Sequence, residues 1–182
     1  GTYVPYYRLQ RSAITAALGA GGGRGTRAVA SYDEDATSMS VEAARSLVRS
    51  FTTTPPPTPA AIYFASATPP YLDKTNANAI HAALNMPSSV FAADMAGSAR
   101  STTAALGAAL NDQRPVLMTS ADVRSGRPSS ADEANMGDAA VALMIGSDVD
   151  APVIAEWLGG ASATGEFLDR WRQPGWDYSR VW

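Results

Sequence analysis

The residues best placed for chemistry stand where an apolar strand, Ser89 to Ala93, ends at Asp94, turns through Met95-Ala96-Gly97-Ser98-Ala99 and enters an alanine-rich helix from about Ser98 to Leu110. A side chain at that turn sits at a helix amino terminus. There the dipole lowers the pKa of a thiol, and free backbone N–H groups can receive an oxyanion, so such positions suit acyl-transfer nucleophiles. This chain puts Ser98 and Ala99 there. The Ser98 hydroxyl needs an adjacent general base in order to attack, and the sequence offers no identifiable one. Its alternative role is that of a helix N-cap.

Other candidate groups have structural readings. Gly21-Gly22-Gly23-Arg24-Gly25 has the composition of a phosphate loop, but such a loop joins a strand to a helix, and no strong strand precedes these glycines. The run reads as a flexible connection. His81 is the single histidine, midway along a short helix near Ile80 and Leu84, with no second histidine or cysteine to join it on a metal. It reads as a surface or edge residue. Asp33, Glu34 and Asp35 precede a helix, and Asp132 and Glu133 follow Ser129 and Ser130; the positive end of a helix dipole accounts for both acidic groups.

The elements that must hold these residues follow from apolar periodicity. Helices are predicted over Gln10 to Leu18, ending at Gly19, and over Asp35 to Phe51, where Val41, Ala44, Leu47, Val48 and Phe51 recur at three- and four-residue steps. Four prolines between Thr52 and Pro59 exclude helix there. Ala61 to Ala65 reads as a buried strand, Asn76 to Leu84 as a short helix, and Pro115 to Ser120 as a strand. Ala139 to Ile145 and Val153 to Trp157 read as two consecutive strands, joined by a turn over Gly146 to Asp150 and able to pair antiparallel. Strands separated by helices imply right-handed parallel crossovers, so an α/β fold with a mixed, mostly parallel five-stranded sheet covered by helices is expected.

Composition narrows the function. The 182 residues carry a formal net charge of −3, 46% hydrophobic and 17% charged residues, which fits a folded globular chain and argues against a nucleic-acid footprint. The absence of cysteine excludes a disulfide scaffold, a thiolate zinc site and a cysteine nucleophile. Apolar runs fall short of a membrane span, and no export signal is visible, so a cytoplasmic protein is expected. The abrupt start at Gly1 and the stop at Trp182 within a charged, aromatic segment suggest a chain cut at both ends.

A series of ordered motifs then carries a family resemblance over nearly the whole chain. Gly1-Thr2-Tyr3-Val4-Pro5 looks like the segment just after the first strand of the hydroxymethylglutaryl-CoA synthase and ketoacyl synthase III branch of the thiolase superfamily. Asp33-Glu34-Asp35-Ala36-Thr37 with Val41-Glu42-Ala43-Ala44 is similar to a helix start of archaeal-type synthases. Ser66-Ala67-Thr68-Pro69-Pro70-Tyr71, Phe91-Ala92-Ala93-Asp94 and Gly137-Asp138-Ala139-Ala140 continue the likeness in order, and Glu166-Phe167-Leu168-Asp169-Arg170-Trp171-Arg172 resembles the segment where the two halves of such synthases meet. The resemblance implies that residues 1–182 form a single thiolase-like N-terminal half-domain.

It also implies what is missing. The family's catalytic cysteine, five residues after the aspartate, falls at Ala99, and the glutamate that serves the synthases as general acid/base falls at Ala67. The family's catalytic histidine, with its asparagine or second histidine, comes from the second half. Alanine cannot form an acyl-enzyme. The resemblance leaves three readings: an acyl-CoA-binding, synthase-like acyltransferase with altered chemistry; a cysteine-independent retro-aldol lyase; and a noncatalytic scaffold paired with an OB-fold/zinc-ribbon protein or an active homologue. Under it a coenzyme A thioester or acyl carrier is the expected substrate, Arg24 and Arg27 are candidates to meet coenzyme A phosphates, and Ser89 to Leu110 would contribute to a homodimer.

Overall fold

The computed structural model describes residues 1–19, 22–147, 151–166 and 168–182. In chain order its elements are β1 (Thr2–Tyr3), β2 (Arg8–Gln10), α1 (Arg11–Leu18), β3 (Thr26–Ala28), α2 (Ala36–Ser50), β4 (Ala61–Ser66), α3 (Asn76–Ala83), β5 (Phe91–Ala96), α4 (Arg100–Asn111), β6 (Val116–Asp122), α5 (Ala131–Asn135), β7 (Ala139–Ile145), β8 (Arg170–Trp171) and β9 (Arg180–Val181).

Helix boundaries follow local chemistry. The Asp35 carboxylate accepts the Ser38 N–H at 2.7 Å while the Ser38 hydroxyl accepts the Asp35 N–H at 2.8 Å, a reciprocal box that starts α2. Burial raises the Asp35 carboxyl, but the Thr37 and Ser38 donors outweigh it and hold it below the usual range. Gly19 ends α1 at φ 76°, a left-handed conformation that glycine adopts without strain. The apolar stripe expected along α2 is buried only in its first half: Val41 and Ala44 are buried, while Val48 is 38% exposed.

The five-stranded sheet runs β1-β7-β6-β4-β5. β4 pairs parallel with both β5 and β6, and β7 pairs antiparallel with β6 and β1. Side chains alternate across it. Ile62, Phe64, Leu117 and Ala121 point to the layer of α2 and α3, whereas Ala61, Ala65, Val116 and Met118 meet α4 through Ala105 and Ala109. β2 and β3 form a separate antiparallel ribbon, as do β8 and β9.

Three expectations are corrected. Val153 to Trp157 is no strand: among the described residues it makes no ladder, and Ile154 and Trp157 are exposed. The fifth strand is instead Thr2–Tyr3, within the segment expected to follow a first strand, paired to Val141 and Ala140. Asp94 does not end its strand, because β5 begins at Phe91 and continues to Ala96. The turn expected at Gly146 to Asp150 and the motif residue Phe167 lie partly or wholly outside the described residues, as does Gly21.

Tyr3 ties the edge strand to the approach to α2, its hydroxyl donating to Glu34 Oε1. That bond, then burial and the Glu34 charge, push the phenol up to about 12. The folded protein therefore holds the Tyr3 proton more tightly than the unfolded chain, whose tyrosine titrates near 10. The stabilisation is complete below about pH 10 and is lost as pH rises through about 12. Urea midpoints taken across this window should fall with pH, and Tyr3→Phe should flatten that fall.

Candidate functional site

Three parallel strands end together. The register sets Ser66 opposite Ala96 on β4 and β5, and Ala65 opposite Ser120 on β6, so their carboxyl ends deliver Ala67, the turn 97–99 and the loop from Asp122 to one edge of the sheet. In open α/β sheets this edge is where ligands bind. The Gly97 N–H donates to the Ser66 carbonyl at 3.2 Å, which places the start of the turn directly beside Ala67. Gly97 adopts φ 114°, accessible to glycine at little cost, and the chain then enters α4 with Ala99 already helical at φ −60°, ψ −26°.

The sequence-derived positions are thus brought together: Gly97, Ser98 and Ala99 are exposed at the amino terminus of α4, and half-buried Ala67 lies on the neighbouring strand end. The N-cap alternative for Ser98 is corrected, since Ala99 occupies that position and no side chain caps the helix. The backbone N–H of Ser98 donates to the Ser101 hydroxyl at 3.3 Å, and among the described residues no hydrogen bond joins the Ser98 hydroxyl to a base.

Asp122 organises the edge and was not singled out by the sequence. Its Oδ1 accepts the Ala67 N–H at 2.8 Å, the Ser66 hydroxyl at 3.0 Å and the Thr68 hydroxyl at 3.1 Å; Thr68 Oγ1 in turn accepts the Val123 N–H at 3.0 Å. The exit of β4 is thereby locked to the exit of β6. Asp138, 3% exposed, accepts the N–H groups of Ala30 and Arg124, each at 2.7 Å, and fixes the next stretch. Asp94 faces the other way and caps α3 through Asn76 and Ala77.

A polar cleft of about 180 Å³ opens beside Ala67, bounded by Thr68, Arg124, Asp132, Arg170 and Arg172 among others. Arg170 holds Asp132 through two parallel bonds of 2.5 and 2.7 Å, and this guanidinium keeps the Asp132 carboxyl below its ordinary range. The two candidate cation positions lie elsewhere. Arg27 commits both terminal nitrogens to the carbonyls of Glu133 at 2.8 Å and Arg124 at 2.9 Å, and Arg24 is exposed before β3. His81 pairs through Nε2 with the Pro87 carbonyl at 2.9 Å. Glu133 joins the start of α5 as expected, where the Ser130 hydroxyl accepts its N–H. Among the described residues no three His, Cys, Asp or Glu side chains are grouped to hold a metal ion, and no helix is long and apolar enough to cross a membrane.

Solved structures with the same arrangement define the class. The whole chain aligns with an HMG-CoA synthase complexed with CoA at a TM-score of 0.79 and 16% identity, covering 48% of that protein. It aligns over 99% of its length with MvaS in complex with 3-hydroxy-3-methylglutaryl coenzyme A at 0.78 and 22% identity, covering 46% of that chain. A 3-oxoacyl-(acyl-carrier-protein) synthase III matches at 0.67 and 20% identity over 93% of this chain and 50% of the other. The fold is a thiolase-like half.

Sequence relatives refine this. The hydroxymethylglutaryl-CoA synthase of Picrophilus torridus is 30% identical over 99% of this chain and 54% of its own length, and that of Methanopyrus kandleri is 31% identical over the same shares. Over nearly its whole length the chain is homologous to half of these hydroxymethylglutaryl-CoA synthases, and this likeness together with the shared fold supports a thiolase-superfamily N-terminal half. It spans about half the length of the curated relatives it matches. No protein-family model matches it.

Proposed function

We propose that this chain is the acyl-CoA-binding half of a synthase-like protein that handles a thioester without forming an acyl-enzyme at position 99. The observation that carries the reading is the shared sheet edge, where the turn leading to Ala99 is hydrogen-bonded beside Ala67, with alanine at both positions where the family resemblance expects reacting groups. Two fold neighbours hold coenzyme A or its hydroxymethylglutaryl thioester, which favours the same ligand class here. A methyl group has no lone pair, so the carbonyl would be held and polarised but not captured. The α4 amino terminus offers N–H groups of the kind that stabilise a developing oxyanion.

Calorimetric titration of the protein carrying this chain with acetyl-CoA, followed by intact-mass measurement of the mixture, tests the reading. Saturable binding with no gain of an acetyl group is expected. A covalent acetyl adduct at equilibrium, or no interaction with the thioester, would overturn it.

A further inference from the structure

The β8–β9 ribbon borders the Ala67 cleft through Arg170 and Arg172, yet it is reached through residues 152–166, which are exposed and carry no helix or strand. Its internal ties include its own ladder, the Trp182 N–H on the Asp169 carbonyl at 2.9 Å, the Trp176 N–H on the Gln173 carbonyl at 3.1 Å and the Arg180 guanidinium stacked 4.3 Å from the Trp176 ring centroid. Among the described residues, the hydrogen bonds from this ribbon to the body of the fold are the two between Arg170 and Asp132. Asp132 is well seated for the task, with its side chain 16% exposed in the first turn of α5. The neighbouring Glu133 contributes the carbonyl that Arg27 grips from β3.

We infer that the β8–β9 ribbon is a strap over the cleft beside Ala67, and that the two-pronged Arg170–Asp132 contact is the latch that holds it closed. A planar guanidinium on a carboxylate fixes direction as well as distance, so this contact sets the ribbon's orientation in a way that one point charge would not. Releasing it leaves the ribbon's ladder and stack intact but removes its polar registration with α5. Access to the carboxyl edge of β4 then depends on how often the latch opens. The inference concerns access alone and stands whether or not a thioester is the ligand.

Two readouts test it in the intact protein. The chain has no cysteine of its own, so Ala67→Cys gives a reporter thiol in the cleft whose labelling by a maleimide reports access. Adding Asp132→Asn is expected to speed that labelling, and to raise deuterium exchange at 169–182, by about three- to tenfold while exchange in β4 and β6 stays constant. Arg170→Lys keeps the charge but loses the fork, and it should produce the same pair of changes. Unchanged exchange at 169–182 in both variants would show that the contact is no latch. Raised exchange with unchanged labelling would show that the ribbon does not control the cleft. Either result overturns the inference.

Discussion

Placing a cysteine at position 99 is expected to turn a protein that gives no covalent adduct with acetyl-CoA into one that is acetylated on that residue. The thiol would stand at the amino terminus of α4, whose start no side chain caps and whose dipole favours the thiolate. The thiolate would attack the thioester carbonyl, the acetyl group would pass to sulfur, and coenzyme A would leave as its thiolate and take up a proton. Ala67→Glu, added to Ala99→Cys, would bring a carboxyl group to the adjacent strand end. If that group acts as a general acid, acetylation should quicken by about a hundredfold. Intact mass before and after hydroxylamine, which cleaves thioesters, measures both effects. Binding of acetyl-CoA without an adduct in Ala99→Cys would show that the edge does not present the carbonyl to position 99.

Asp94→Ala should produce the largest loss of stability of any polar substitution near the site. One carboxylate oxygen accepts the Asn76 N–H at 2.7 Å and the Asn76 side-chain amide at 2.9 Å, and the other accepts the Ala77 N–H at 2.7 Å. Asn76 and Ala77 are buried, so truncation strands their donors away from water. At about 1–3 kcal/mol for each unsatisfied group, partly relieved by relaxation, the cost should be about 3–5 kcal/mol. Asp94→Asn retains one acceptor oxygen and should recover part of that. Urea midpoints for the three proteins give the comparison, and an alanine variant within 1 kcal/mol of the parent, about the smallest single-group cost, would refute the assignment.

The same residue shows where sequence reading stopped. An aspartate after Phe91-Ala92-Ala93 looks like the end of a strand, yet Asp94 lies within β5 because its charge is spent capping a helix that begins eighteen residues earlier. Periodicity does not register such a long-range pairing. By contrast, the α2 boundaries were legible because Asp35 and Ser38 act within one turn, and β4 was legible because a short apolar run covered on both faces has few alternatives. Val153 to Trp157 has the apolar content of a strand but no ladder partner among the described residues, whereas two residues at the opposite end of the chain gain strand character from β7 alone. The alanines at 67 and 99 were locatable through motif order. The aspartate that fixes the first of them was not, since Asp122 acts across fifty-five residues.

More than half of the buried hydrophobic residues described are alanines, and several, including Ala43, Ala44, Ala65, Ala105, Ala109 and Ala142, have no exposed surface. Helices and sheet therefore approach each other closely, with methyl groups where other cores place branched side chains. In such an interior the usual failure is reversed: truncation has little left to remove, while each added methylene must displace backbone. The positions that most tightly constrain variation are the chemically plainest ones, and random mutagenesis of this half should be most damaging where alanine becomes valine.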